Sequence, residues 1–416
     1  MISRPENQSQ ISVKPLLMLA LTFSISLIIL RLPLLSIYGL PQLSRPVLLL
    51  PFAICILALI VGKSFRWNLI SGVLLSIFLW GCFYVVALDA AGSVSLTESI
   101  QDFLSKYCFV LFLFLAYGLR VNNHDINKIL RIIAYISIFV IGPLFVVEYI
   151  GYRYEWLKLA DVINFLIPPG MKELYGDGYT AQALSNNRPI GLYARNTDTA
   201  FLVAGASFFL TSLGSEKKGL RFYSFFIGAL AIAAAGSFSL LISVLLTVLV
   251  GVHIRQIWKI FSKYRFLLFP FILAIIFSFY KSPLVYRWGV YSNIWGVIVP
   301  MIKPDLSDCL EFPLWTGVSS ATYCHLPEIK ILAPVFVYGL FSMLPFLLLI
   351  CLPAFETLRK KIVKEPLSGE LLWGFLFFLS LGHYSTVERW GNNLIYGLCL
   401  LHILNGWEVS KANNNI

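Results

Sequence analysis

The chain has 416 residues, of which 58% are hydrophobic and 13% are charged, and its net charge is +11. A water-soluble domain keeps about a quarter of its residues charged, so this composition excludes an ordinary soluble protein. In so apolar a chain, the basic excess is typical of membrane topology rather than of nucleic-acid binding.

Twelve apolar stretches follow one another along the chain, each long enough to cross a bilayer as a helix. Because backbone polar groups in lipid must be bonded internally, every stretch is predicted to be helical. The predicted fold is therefore an all-α polytopic membrane protein of about 12 transmembrane helices, forming a single integral membrane domain over residues 1–416. The stretches are 15–34, 45–62, 68–88, 103–119, 129–150, 197–214, 220–236, 237–253, 266–282, 331–352, 371–387 and 390–407.

Two long segments, 151–197 and 282–330, interrupt the apolar stretches, and both are predicted to contain short helices. The second segment looks helical over 285–299. In the first segment, apolar residues at helical spacing predict an amphipathic helix lying on the membrane surface. These residues are Trp156, Leu159, Ile163 and Leu166.

Lysine and arginine cluster in alternate connections between the stretches. Examples are Lys217, Lys218 and Arg221 in one connection and Lys360 and Lys361 in another. Positive charge marks the cytoplasmic side of a membrane protein. The pattern therefore predicts that both termini are cytoplasmic and that both long segments lie outside.

Cys309 and Cys324 share the second outside segment. In an oxidising compartment they form a disulfide, or else they are two unrelated buried thiols. The other five cysteines lie within apolar stretches and are interpreted as packing residues. Their spacing matches no zinc site, and no metal is expected.

Three arginines, Arg188, Arg195 and Arg287, lie near the predicted outer boundary of the membrane. Arginine makes paired, charge-assisted hydrogen bonds to phosphate, so these residues are candidate ligands for a lipid-linked pyrophosphate. The alternative is that they extend to lipid headgroups, as many basic residues at span ends do.

Gly191 and Asn196 are predicted to contact substrate. A glycine between bulky neighbours permits a close backbone approach. Asn196 precedes an apolar stretch and is also a candidate helix cap, as are Thr197 and Asp198. A helix N-terminus favours anions, so capping and ligand contact are compatible.

Glu328 and His325 are the candidate general bases, because a sheltered boundary position raises the pKa of a carboxyl group towards a useful range. The alternative for Glu328 is an ion pair with Lys330 or a helix cap. His383 and Arg389 form another polar cluster, which either lines the same cavity or makes a turn. Tyr291 completes the predicted substrate contacts. Nucleotide-binding and metalloprotease motifs are missing from the sequence, and no cofactor is expected.

The order of these features resembles the bacterial O-antigen polymerase and O-antigen ligase superfamily, over about residues 15–407. The run Arg188-Pro-Ile-Gly-Leu-Tyr-Ala-Arg-Asn196 looks like the family's entry into a span. The run Ala235-Gly-Ser-Phe-Ser-Leu-Leu241 looks like its small-residue turn, with Phe238 where an arginine is frequent. Arg287, Trp295 and Gly317, followed by the run 328–339, look like its large periplasmic loop. The ligase branch has a His-Asn pair near the place where Pro327-Glu328 stands here, which favours the polymerase.

The resemblance implies a glycosyltransferase in the bacterial inner membrane that acts at the periplasmic face. Its substrates would be oligosaccharide repeat units linked to undecaprenyl pyrophosphate, and its chemistry a metal-independent displacement with inversion. Membrane lipids and a chain-length regulator are the other expected partners, and nucleic acid is not. The competing hypotheses are an O-antigen ligase, which transfers finished polymer to lipid A–core, a polysaccharide transporter or flippase, and a membrane acyltransferase.

Overall fold

A computed structural model describes residues 13–37, 46–62, 65–90, 108–158, 161–162, 189, 191, 196–213, 217–251, 340–382 and 391–414. Helices account for most of these residues, and no strand occurs among them. The predicted all-helical class is confirmed to that extent.

The helices are numbered here in chain order. A 3₁₀ turn, Pro46–Leu49, precedes α2, and a π-helical turn, Ser137–Ile141, joins α5 to α6 without a break. The helices are α1 (Val13–Ile37), α2 (Leu50–Gly62), α3 (Leu69–Ala90), α4 (Cys108–Gly118), α5 (Asn123–Ile136), α6 (Gly142–Arg153), α7 (Asn196–Ser212), α8 (Lys218–Ala235), α9 (Phe238–Gly251), α10 (Leu340–Ile362), α11 (Gly369–Ser380) and α12 (Asn392–Asn414).

Every predicted apolar stretch contains one of these helices, except 266–282, which lies outside the described residues. Two continuous helices, Asn123–Arg153 and Lys218–Ala235, are long and apolar enough to cross a membrane by length and composition. Apolar helical segments of 10–17 residues also occur at α1, α2, α3, α4, α9 and α11. The twelve membrane crossings therefore stay a prediction.

Local sequence signals explain several helix boundaries. The Asn122 side chain accepts a hydrogen bond from the backbone N–H of Asp125 at 2.9 Å and caps α5, and Ser368 caps α11 in the same way. Gly236 ends α8 in the left-handed conformation, with φ of 57°. Proline at position 143 lacks the N–H that an α-helix needs there, and the chain widens into the π turn immediately before it.

Helix α7 forms the centre of the bundle. Every residue from Thr197 to Ser207 is buried, and a helix buried all round must be covered by neighbours on every side. It packs against α5, α6, α8, α9 and α11. Gly205 permits a close approach to α11, because a Cβ atom there would lie 2.1 Å from the indole ring of Trp373.

Hydrogen bonds between helix termini define two opposite ends of the bundle. One end, called the glycine end, holds the C-terminus of α6, the segment at Gly191, the N-terminus of α7, the α8–α9 turn and the N-terminus of α12. The other, called the ion-pair end, holds the α2–α3 connection, the α4–α5 turn, the α10 C-terminus and the C-terminal half of α12. The first long segment that was predicted to lie outside, 151–197, begins at the end of α6 and ends at the start of α7, which are both helix termini of the glycine end.

Two local predictions differ from the structure. Trp156 does not lie in an amphipathic helix, because Glu155 adopts a left-handed φ of 60° and the N–H of Leu157 folds back to the carbonyl of Gly151 at 3.2 Å. Asp161 and Val162 are helical again. Helix α10 continues ten residues beyond the predicted end of its stretch at position 352, to Ile362.

Candidate functional site

Gly191 is fixed between two apolar helices at the glycine end. It adopts a φ of +69°, which L side chains rarely adopt. A Cβ atom there would lie 2.4 Å from Oγ1 of Thr199 on α7 and 3.1 Å from the ring of Phe145 on α6. The segment thus approaches both helices closely, and any larger residue would push it away from them, while the predicted substrate contact of Gly191 stays a prediction.

Glu148 on α6 binds the same glycine from the other side. Its Oε2 accepts a hydrogen bond from the backbone N–H of Gly191 at 3.2 Å, and its Oε1 accepts one from the hydroxyl of Tyr152 at 2.6 Å. Tyr152 is one helical turn further along α6, so its hydroxyl meets the carboxylate directly. Both oxygens of this half-buried carboxylate thus have a partner within the protein, and Gly191 has contacts on both faces.

Asn196 joins α7 to the α8–α9 turn. Its Nδ2 donates to the carbonyl oxygen of Ala235 at 3.1 Å, while its Oδ1 accepts hydrogen bonds from the backbone N–H of Thr197 at 2.7 Å and from its hydroxyl at 3.0 Å. A conventional cap bonds the N–H two or three residues ahead. Asn196 therefore acts mainly as a link between two helix termini.

The turn that receives Asn196 contains just two residues, Gly236 and Ser237, between α8 and α9. Ser237 is buried, and its hydroxyl lies 3.2 Å from that of Ser239 and accepts from the N–H of Leu240 at 3.4 Å. Small side chains and the left-handed glycine let α8 and α9 pack closely at this point.

Buried polar groups of α7 and α12 complete the glycine end. Asp198 lies in the first turn of α7, where its negative charge complements the helix dipole. Nδ2 of Asn392 donates to the backbone carbonyl of Asp198 at 3.4 Å, and Nδ2 of Asn393 lies 2.7 Å from the sulfur of Cys108. Because Asp198 already supplies an anion at the α7 N-terminus, a ligand phosphate would have to be bound by other groups.

The chemistry that this cluster offers is that of carboxylates, amides and hydroxyls. Such groups recognise sugar hydroxyls and hold loops in place, and they include no soft metal ligand set. Within the described ranges, no group of three or more histidine, cysteine, aspartate or glutamate side chains is placed to hold a metal ion. Because Glu148 and Asn196 bond to other groups of the protein, the cluster is suited to holding the segment at Gly191 in place.

The structure brings together the two predicted site residues that it describes. Gly191 contacts Thr199, which is one helical turn beyond Asn196 on α7. The other predicted residues lie outside the described part of the chain, and their predicted roles stay predictions. They are Arg188, Arg195, Arg287, Tyr291, His325, Glu328, His383, Arg389, Cys309 and Cys324.

Sequence reasoning missed Glu148, Asn392 and Asn393. A signal for Glu148 was present, because an ionisable residue within an apolar stretch is by default a functional candidate. Its partner Gly191 is 43 positions away, and the partner of Asn392 is 194 positions away, so neither contact follows from local spacing.

No protein-family model, no curated protein and no solved structure matches this chain. Its function therefore has to be inferred from its own residues and from the geometry that they adopt.

Proposed function

We propose that this chain is a polytopic membrane glycosyltransferase that joins lipid-linked oligosaccharide repeat units into a polysaccharide, with the glycine end facing outside. The orientation is supported by the charges at the two ends. Helix ends at the ion-pair end carry the lysine clusters 217–218 and 360–361, as expected for a cytoplasmic face.

The observation that carries the proposal is the fixed position of Gly191. This residue lies within the motif that resembles the polymerase and ligase superfamily, three positions after Arg188 and four before Arg195. Glu148 and Thr199 hold its backbone against α6 and α7. This short cationic segment is held at the rim of an apolar bundle. It is therefore suited to binding the pyrophosphate of a lipid whose tail lies in the bilayer.

The proposed reaction is a single displacement. A hydroxyl oxygen of the incoming repeat unit attacks the anomeric carbon of the growing chain and forms the new glycosidic bond. The bond between that carbon and the pyrophosphate oxygen breaks, and its electron pair leaves with undecaprenyl pyrophosphate. Arg188, Arg195 and Arg287 stabilise the developing negative charge, and the sugar passes through an oxocarbenium-like state.

The proton of the attacking hydroxyl passes to a general base, for which Glu328 and His325 are proposed. Glu148 is assigned a different role. Its two oxygens accept hydrogen bonds from Tyr152 and from the Gly191 backbone, so its proposed role is to position the segment.

The test is reconstitution of the purified chain in proteoliposomes with a defined lipid-linked repeat unit, scored for polymer by gel electrophoresis. Arg188→Ala and Arg287→Ala should each insert normally and yield no long polymer. Lys158→Ala is the matched control, because this exposed cation lies beyond the C-terminus of α6 at the same end and should leave chain length unchanged. Normal chain length in both arginine variants would refute the proposal.

A strain that lacks the gene separates the proposal from its competitors. Accumulation of single lipid-linked units on the outer leaflet supports the polymerase. Accumulation of long lipid-linked polymer would indicate a ligase instead, and units trapped on the cytoplasmic leaflet would indicate a flippase.

A further inference from the structure

The C-terminal part of α10 exposes an apolar stripe that continues past the predicted bilayer stretch. Its members recur at intervals of three, four and seven residues, so they lie on one face of the helix. Ile362, at the very end, is 81% exposed. The stripe consists of Leu344, Leu348, Phe355, Leu358 and Ile362.

The basic residues beside this stripe fall into two groups. Arg359 is held by Glu356, to which its Nε and Nη2 donate at 2.8 and 2.7 Å. Lys360, Lys361 and Lys364 have no carboxylate within ion-pair distance anywhere in the described ranges. The end of α10 thus combines exposed apolar side chains with three lysines whose charge is not neutralised by the fold.

Lys364 also occupies a costly backbone position. The N–H of Glu365 bonds to the carbonyl of Lys360 at 2.8 Å, and the N–H of Lys364 to that of Lys361 at 3.2 Å, which together form a Schellman cap. The residue in the left-handed position of such a cap is usually glycine, but here it is Lys364, with φ of 62°. A lysine in this position points to a use for its side chain that offsets the strain.

We propose that the segment 358–364, called the α10 tail, binds the headgroup of an anionic phospholipid in the leaflet at the ion-pair end. The phosphate contacts Lys360, Lys361 and Lys364, and the acyl chains cover Leu358 and Ile362. The proposal requires the chain to be embedded in a membrane but does not depend on the reaction proposed at the glycine end.

Two observations favour a lipid over an acidic protein as the occupant. The apolar stripe is continuous with Leu344 and Leu348, which lie within the predicted bilayer stretch, so the same medium that covers them reaches Ile362. Lys361 and Lys364 lie beside the end of the stripe and Lys360 lies on the face opposite to it, so apolar and basic side chains occupy different sides of the helix end. Amphipathic segments at a membrane interface have this arrangement, in which apolar residues enter the acyl region and lysines meet headgroups.

The test uses the full chain reconstituted in phosphatidylcholine bilayers with trace spin-labelled phosphatidylglycerol or phosphatidylcholine. Electron paramagnetic resonance gives the motionally restricted fraction of each lipid and hence the selectivity for the anionic one. The wild-type protein should select phosphatidylglycerol, and the selectivity should fall by up to about fivefold for each lysine removed from the tail.

A matched pair of double variants distinguishes a specific lipid-binding site from nonspecific electrostatic attraction to the membrane. Lys360→Gln with Lys361→Gln should lower the selectivity, whereas Lys217→Gln with Lys218→Gln removes the same charge near the start of α8 and should change it less than twofold. Equal losses in the two double variants, or no loss in the first, would overturn the proposal.

Two substitutions of Lys364 separate charge from folding. Lys364→Gly relieves the left-handed strain, so it should preserve or raise the thermal stability while lowering the selectivity. Lys364→Arg keeps the charge and should retain the selectivity. If Lys364→Gly bound phosphatidylglycerol as the wild type does, the lysine would have no role in lipid binding and the proposal would fail.

Discussion

The two ends of the bundle use different interactions to connect their helices. At the ion-pair end, three carboxylates each connect at least two structural elements. Glu408 of α12 pairs with Arg66 and accepts from Tyr117 of α4, Glu356 of α10 accepts from Trp407 of α12, and Glu370 of α11 accepts from α5. At the glycine end, the contacts between helix termini use amide, hydroxyl and backbone N–H donors.

This difference indicates what each end does. The matched ion pairs at the ion-pair end connect helices, and they leave the lysines of the α10 tail unpaired within the described ranges. At the glycine end, hydrogen bonds fix backbone positions, and one of them is accepted by the Glu148 carboxylate. On that basis ion pairs connect the helices at one end of the bundle, and hydrogen bonds position the segment at Gly191 at the other. The following predictions test that division, beginning with the largest effect.

Gly191→Ala should have the largest effect. The added Cβ meets Thr199 at 2.4 Å in a left-handed backbone, and strain plus overpacking should cost about 2–4 kcal/mol. Reaction of buried Cys55, Cys108 and Cys399 with a thiol dye on heating reports the unfolding. Gly72→Ala is the control, because nothing lies within 4 Å of a Cβ atom there. If Gly191→Ala destabilised the protein no more than Gly72→Ala does, the positioning role of Gly191 would be contradicted.

Glu148→Ala should loosen the Gly191 segment and leave the ion-pair end unchanged. The backbone N–H of Gly191 and the hydroxyl of Tyr152 lose their acceptor, which should cost about 1–3 kcal/mol. Hydrogen–deuterium exchange should rise in the peptide that contains Gly191 and stay constant in peptides of α12 around Glu408. Glu155→Ala, at an exposed position just beyond α6, is the control and should alter neither peptide. Unchanged exchange at Gly191 would show that Thr199 and Phe145 alone hold the segment.

The helices and the interior could be predicted from the sequence because they depend on local hydrophobicity. Long apolar runs identified eleven helical regions. The end of α10 was placed too early, because hydropathy falls at Glu356 and Arg359 although the helix continues. Those two residues lie one turn apart and pair with each other, which removes the cost of their charges.

The polar links between helices could not be predicted in the same way. Glu148, Asn392 and Asn405 meet partners on other helices or connections far away in the sequence, and which polar residues face each other depends on the rotation of each helix about its axis. A single sequence with helices apolar on nearly all sides carries little information about that rotation.

Glu408→Gln should have a moderate effect confined to the ion-pair end. The substitution removes the charge that pairs with Arg66 but keeps an acceptor for Asn68 and Tyr117. Because the pair is partly buried, the expected loss is about 1–2 kcal/mol. Glu365→Gln is the matched control, since Glu365 pairs with Arg359 at 3.6 Å where both side chains are about half exposed, and should cost less than about 0.5 kcal/mol. Thermal unfolding at low and at high salt measures the loss of stability in both variants. Equal losses would show that the charge of Glu408 does not hold the helices of this end together.

The smallest expected effect is a pH dependence from Glu356, which lies beyond the predicted bilayer stretch. Burial acts to raise the pKa of its carboxyl group, but hydrogen bonds from Arg359 and Trp407 and the charges of Arg359 and Lys360 outweigh burial, so the pKa lies below its ordinary value of 4.5. The unfolded chain then binds more protons, so this contribution to stability is complete above pH 4.5 and is lost as the pH falls through the lower folded pKa.

Glu356→Gln should therefore be less stable than wild type at neutral pH, and the difference in unfolding temperature, followed by circular dichroism, should shrink on acidification. A difference that stays constant as the pH falls below 4.5 would show that packing of the side chain, and not its charge, connects α10 to α12.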